Sequence, residues 1–264
     1  ATSVLAVGPL LEPAGQAILV RVDASEAHFG AAVTRGTQSL DRVSRFGAQV
    51  GDWDLIDALL GVSAVGGGGM ALGDDFATRF VLVDPPRLAH GDVFGGPLVL
   101  AAADACTVAS RDNARRCFAR LRQLIASHYF PTVEPTAGAY IDGCDRFAQG
   151  DLRGAASAWR PLVSGHEADA GYAGNALARF GPVAFDAAGD HDLAARIDAR
   201  SLASGFDAFA GASPATAREA RRALARGDKT AARQLAQKLV DAWAAADVSV
   251  PAVADMRALL SKSP

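Results

Sequence analysis

The chain has 264 residues, enough for two domains. Half of the residues are hydrophobic, 21% are charged and the net charge is -3, a composition that fits a folded globular protein and excludes a disordered one. There is no basic excess to mark nucleic-acid binding, and apolar runs such as 80–83 and 97–103 fall far short of the ~20 residues a membrane helix needs.

The chain opens at Ala1 without the basic and long apolar segments of a secretion signal, as a mature or excised chain does. Short β-like runs follow at Ala17–Val22 and Ala31–Thr34. Asp41–Leu60 then carries Val43, Phe46, Val50, Trp53, Ile56, Leu59 and Leu60 near a 3.6 period, which predicts a helix. Further β-like runs stand at Phe80–Val83, closed by Asp84-Pro85-Pro86, at Leu98–Ala101 and at Cys106–Ala109. Asp112–His128 is predicted as a second helix, with Asp112 at its N-cap and Ala114, Cys117, Phe118, Leu121, Leu124 and Ile125 on one face. Residues 1–130 therefore read as a small α/β or α+β domain.

The glycine-rich stretch 65–76, VGGGGMALGDDF, is the feature most like a catalytic motif. Gly68 and Gly73 have the spacing of a phosphate-binding P-loop, but Asp74 and Asp75 occupy the places of its Lys and Ser/Thr, and two anions there repel a phosphate. The dinucleotide pattern fits better: Gly66-x-Gly68-x-x-Ala71, with 62–65 as the preceding strand and Asp84 placed to bind a ribose. Its difficulty is the short interval to the next β-like run; the competing assignment is a surface loop.

After the connector Pro131–Pro135 the β-like runs cease and the chain becomes Ala-rich and helical. Gly-Asp recurs at Gly150-Asp151, Gly189-Asp190 and Gly227-Asp228, spaced 39 and 38 residues apart. Each pair follows an apolar helical stretch, and alanine stands five residues beyond each glycine, at Ala155, Ala194 and Ala232. Glycine ends one helix with a left-handed residue, aspartate caps the next, and alanine lets the two helices approach. A single such hairpin cannot bury its apolar face, so hairpins stack. Pro251–Lys262, with Val253, Met256, Leu259 and Leu260 on one face, is predicted as a capping helix.

With Gly143 and Phe147 before the first turn and Ala155 and Trp159 after it, this pattern resembles the tetratricopeptide repeat over about 136–247. The second unit matches through Phe185, Gly189-Asp190 and Ala194, while the third lacks large aromatics; Pro182 and the longer period depart from the family. More broadly, a mixed domain followed by helical repeats resembles the non-catalytic region of bacterial Ser/Thr protein kinases. No H-R-D, D-F-G or V-A-I-K element accompanies it. The resemblance implies a partner-binding or sensor module cut from a larger membrane-anchored signalling protein, lying outside the cytoplasm.

The remaining chemistry is sparse. His28, His90, His128, His166 and His191 show no zinc-helix spacing, and there is no G-x-S-x-G. His90-Gly91-Asp92, and the carboxylates of Asp74, Asp75 and Asp84 as magnesium ligands, read more simply as solvated polar residues. Cys106, Cys117 and Cys144 read as buried thiols, with a Cys117–Cys144 bridge as the alternative. Arg218, Arg221, Arg222 and Arg226 lie near helical spacing: a solvated face or, more sharply, a groove for an acidic peptide. The expected protein is an α+β or α/β domain (1–130) followed by an all-α TPR-like array (136–264). It is expected to bind a protein or peptide partner and to hold no cofactor, catalytic residue or metal; a nucleotide-binding enzyme using 65–84 is the alternative.

Overall fold

The computed structural model describes residues 12–43, 50–66, 69–82, 95–126, 134–164, 174–204 and 209–262. They form thirteen helices: α1 (Glu12–Ser25), α2 (Phe29–Val43), α3 (Val50–Gly66), α4 (Gly69–Leu82), α5 (Gly95–Val108), α6 (Arg111–Ala126), α7 (Glu134–Ala148), α8 (Leu152–Ser164), α9 (Gly174–Ala187), α10 (His191–Ser204), α11 (Pro214–Ala225), α12 (Lys229–Ala242) and α13 (Pro251–Lys262). Among the described residues the β-structure is one isolated bridge, Phe209 with Ala212.

Among its described residues the N-terminal region is thus all-α, which corrects the expected α+β or α/β domain. The β-like runs 17–22, 31–34 and 98–101 lie inside α1, α2 and α5; of 80–83, residues 80–82 end α4 and Val83 lies outside the described residues, and 106–109 runs through the end of α5. The reason is visible in α1. Ala17, Val20 and Ala24, spaced by three and four residues, are buried, while Ile18 and Val22 are exposed. A short aliphatic run satisfies the strand and buried-helix patterns alike, and only the full helical period separates them. The predicted helix 41–60 belongs in its second half to α3, and the predicted helix 112–128 is α6.

Helices pack in successive pairs. In the C-terminal half the turns follow the expected pattern. Gly150, Gly189 and Gly227 have φ of +83°, +84° and +85°. The next amide closes the turn onto the preceding helix: Asp151 N to Arg146 O, Asp190 N to Phe185 O and Asp228 N to Ala223 O, each at 2.9 Å. The aspartates then cap the next helix, accepting from Gly154 N at 2.9 Å, Leu193 N at 3.3 Å and Ala231 N at 2.9 Å. This is the Schellman turn followed by an Asp N-cap. Ala155, Ala194 and Ala232 are fully buried.

Trp159 of α8 is buried and donates from Nε1 to Tyr140 O at 3.1 Å. Its ring stands 6.0 Å from Phe147, itself 5.1 Å from Phe180 of the next hairpin. A Cβ on Gly143 would lie 2.2 Å from the indole nitrogen, so glycine is what lets α7 receive Trp159.

The first helices meet the last. Asp247, after α12, accepts from Gly30 N at 2.8 Å and Ala31 N at 2.9 Å at the start of α2. Burial pulls its pKa upward, but these bonds outweigh that and hold it below the usual carboxylate value. Phe29 lies edge-on to Phe209 and Trp243, with centroids 6.0 and 5.7 Å away. The division expected near residue 131 lies between α6 and α7, in part outside the described residues, and helices from either side of it share one apolar cluster. A disulfide joins Cys106 of α5 to Cys117 of α6, and Cys144 is a buried free thiol. That pairing replaces the expected thiols at Cys106 and Cys117 and the Cys117–Cys144 alternative, while Cys144 is a buried thiol as expected; the α5–α6 hairpin brings the first two together.

Candidate functional site

The described residues of the glycine-rich stretch lie in helices packed against their neighbours. Residues 62–66 are the last turn of α3, and α4 begins at Gly69, so no strand precedes the loop as a dinucleotide site requires. Gly66 packs near Val248 and Phe29. Gly68 and Asp84 lie outside the described residues, as does the His90-Gly91-Asp92 turn. A Cβ on Gly73 would stand 2.6 Å from Ala109 N and 2.8 Å from Ala105 O, so this glycine allows α4 to lie against α5. Asp74 accepts from Ser110 N at 2.7 Å and Asn113 Nδ2 at 2.9 Å, tying α4 to the start of α6. Burial pulls its pKa up, yet these bonds prevail and lower it.

The four arginines of α11 and its end each meet an acid. Arg218 grips Asp198 with Nη2 at 2.6 Å and Nε at 3.0 Å. Arg222 reaches Asp186 at 2.7 Å and Asp198 at 2.8 Å, and Glu219 at 3.3 Å. Arg226 pairs with Glu219 at 2.7 Å, and Arg221 pairs with Asp255 of α13. Arg222 and Asp198 are buried. Desolvation works against the Arg222 charge, but hydrogen bonds to Asp186 and Asp198 outweigh it and raise its pKa. Asp186 is shifted down on balance: burial opposes, and bonds from Arg222 and His191 prevail. These groups fasten the second hairpin to the third.

On the other side of α10 lies a different arrangement. Helices α8 and α10 both pack on α9 and leave a groove of about 160 Å³. Leu193, Arg196, Ile197 and Arg200 face it from α10, at the i, i+3, i+4, i+7 spacing of one helical stripe. Arg160 and Val163 face it from α8, with Asp190 at the turn. Arg160 pairs with Asp190 at 2.7 Å and sits 5.8 Å above the ring of buried Phe185. Arg196 and Arg200 are exposed, and among the described residues no acid lies within ion-pair distance of either. The lining therefore holds three arginines against one aspartate, on a chain whose net charge is -3. Sequence reading passed over this stripe because its arginines alternate with leucine and isoleucine; the i, i+3, i+4, i+7 placement was the signal that could have found it.

A second cluster, also unforeseen, is enclosed where α3, α5, α7 and α9 meet. Tyr140 donates from its hydroxyl to Asp104 at 2.5 Å and accepts from Ala176 N at 3.1 Å. Arg179 donates to Asp57 Oδ1 at 2.8 Å, and Asp57 also pairs with Arg21 of α1 at 3.3 Å. Burial raises the Asp104 pKa to about 7, against the pull of the Tyr140 bond and the Arg179 charge. Burial, reinforced by Asp104, pushes Tyr140 and Cys144 well above their ordinary values.

Among the described residues no three His, Cys, Asp or Glu side chains are placed to hold a metal ion. No described helix is long and apolar enough to cross a membrane. No protein-family model, curated protein or solved structure matches the chain. The helices packed in neighbouring pairs are compatible with a helical repeat, and the comparisons add nothing to the tetratricopeptide or kinase resemblance.

Proposed function

We propose that this chain is a TPR-like scaffold that binds a protein partner through the array α7–α13 and performs no chemistry of its own. The observation that carries this reading is the run of hairpins with one turn design, Gly150-Asp151, Gly189-Asp190 and Gly227-Asp228, which sets α8 and α10 side by side with an open groove between them. Stacked hairpins of this kind build extended surfaces suited to segments of other proteins. The groove, at about 160 Å³, is well below the roughly 300 Å³ at which small-molecule sites begin. It suits a few side chains of a larger partner better than a whole small substrate.

The test is selection of peptides from a random display library on the full chain, followed by hydrogen exchange. Peptides with micromolar affinity that protect amides of α7–α13 support the reading. Protection confined to α1–α6, or no selected peptide, overturns it. Titration calorimetry with ATP, GTP, NAD and NADP gives no saturable heat on this reading. Micromolar binding of any of them, lost on Gly66→Val, would put the nucleotide-enzyme alternative in its place.

A further inference from the structure

We infer that the groove between α8 and α10 is a docking site for an acidic segment of a partner protein, one that places an aliphatic side chain between carboxylates; this rests on the partner-binding reading above. The floor and the rim each select part of that chemistry. Leu193, Ile197 and Val163 offer apolar surface to one aliphatic side chain. Arg196 and Arg200 stand one helical turn apart on the same stripe, exposed, with no acid of this chain among the described residues to neutralise them. A guanidinium presents a planar fork of donors that matches a carboxylate, so each is suited to one acidic side chain.

The contrast with the rest of α10 sharpens the assignment. Asp198, buried on the same helix, is held by two arginines, and Asp190 at the groove's end already meets Arg160. Among the described residues, acids are therefore supplied to the neighbouring arginines from within the chain and not to this pair. On an acidic protein, a local excess of positive charge beside an apolar floor steers and orients an acidic partner. The small volume argues for side chains of a peptide rather than a free polyanion enclosed whole.

The experiment uses fluorescence polarisation on the full chain with capped synthetic peptides. In each, one leucine is flanked by two, three or four glutamates; glutamine versions serve as neutral controls. Affinity is expected to rise with glutamate number and to fall steeply as salt is raised, as for exposed charges. Arg196→Glu with Arg200→Glu is expected to weaken binding at least about tenfold, since each lost pair is replaced by repulsion. Both side chains are exposed, so the variant's melting curve should match wild type. Arg233→Glu with Lys238→Glu, two exposed α12 residues that do not line the groove, controls for the change in net charge. Equal affinity for the double variant overturns the groove assignment. So does inorganic phosphate binding as tightly as the best peptide, or a glutamine peptide binding as well as its glutamate counterpart. Display-selected peptides that bind α7–α13 but ignore Arg196→Glu with Arg200→Glu defeat this inference and leave the scaffold reading standing; failure of every peptide defeats both.

Discussion

Arg218 and Arg222 on one side of α10, and Arg196 and Arg200 on the other, carry the same charge at comparable helical spacing and have opposite surroundings. The first pair closes on Asp198 and Asp186, with Arg222 and Asp198 buried. The second pair faces solvent beside apolar side chains. An arginine stripe in a helical sequence therefore does not announce a binding face. Its meaning depends on whether the neighbouring helices return acids to it. Asp186 and Asp198, 36 and 20 residues before their partners, are brought in by the hairpin repeat rather than by local spacing. The comparison divides structural from available charge, and it can be broken at either end.

The largest effect is expected at Asp198. It is almost fully buried and accepts from both Arg218 and Arg222. Asp198→Ala leaves the buried Arg222 and the half-buried Arg218 short of an acceptor, and breaking a buried pair typically costs about 3–5 kcal/mol. Urea unfolding monitored by circular dichroism should show a large drop in midpoint. A midpoint within error of wild type would mean the junction is solvated, and the contrast with Arg196 and Arg200 would vanish.

Asp104 tests the other enclosed cluster by pH. Its folded pKa is about 7, against 3.8 for the free carboxyl. Below the lower value both states hold the proton and folding loses nothing. As pH rises between the two, the unfolded chain ionises first, and stability falls until the folded group ionises as well. The total is a few kcal/mol at ~1.4 kcal/mol per pH unit of separation. Asp104→Asn keeps an acceptor for Tyr140 and removes the titration. Its stability relative to wild type is therefore expected to improve steadily from pH 4 to pH 7. Parallel urea midpoints for the two proteins across that range would show that Asp104 is not enclosed as described.

Gly189 gives a smaller, cleaner effect. Its φ is +84° and nothing lies within 4 Å of an added Cβ, so Gly189→Val tests backbone strain alone. A β-branched residue in that conformation costs about 1–2 kcal/mol. Gly150→Val, at φ +83°, should behave alike, and two wild-type urea midpoints would refute the left-handed turns.

These turns were also the most legible part of the fold. Gly-Asp with alanine beyond it marks a local structure that needs no distant partner, so the hairpins of the C-terminal half could be read residue by residue. The N-terminal half is built from helices too, but its first turn uses Ala27 at φ +62° and no Gly-Asp pair, so nothing announced the hairpin. The aliphatic runs of α1 and α5 then passed for strands. The groove was illegible for another reason: α8 and α10 are joined through α9, and their juxtaposition is a property of stacking. The four arginines of 218–226 drew attention because they are close in sequence, whereas the acids that occupy them come from α10, the end of α9 and α13, as well as from Glu219 nearby.

The smallest expected effect is at the groove. Arg200→Ala and Arg196→Ala remove exposed side chains that pair with no acid among the described residues, so no ion pair is broken and no charge is left stranded. Surface changes of this kind stay within about 0.5 kcal/mol. Relief of repulsion among Arg160, Arg196 and Arg200 acts in the stabilising direction, and more so at low salt, where the Debye length grows to about 30 Å at 0.01 M. The measurement is the urea midpoint of each variant at low and moderate salt. An unchanged or slightly raised midpoint at low salt marks charge kept at a small cost to the free protein, which is what an interaction surface requires and a structural junction does not. A loss comparable to that of Asp198→Ala would make Arg196 and Arg200 part of the fold's internal bonding, and the two sides of α10 would no longer differ.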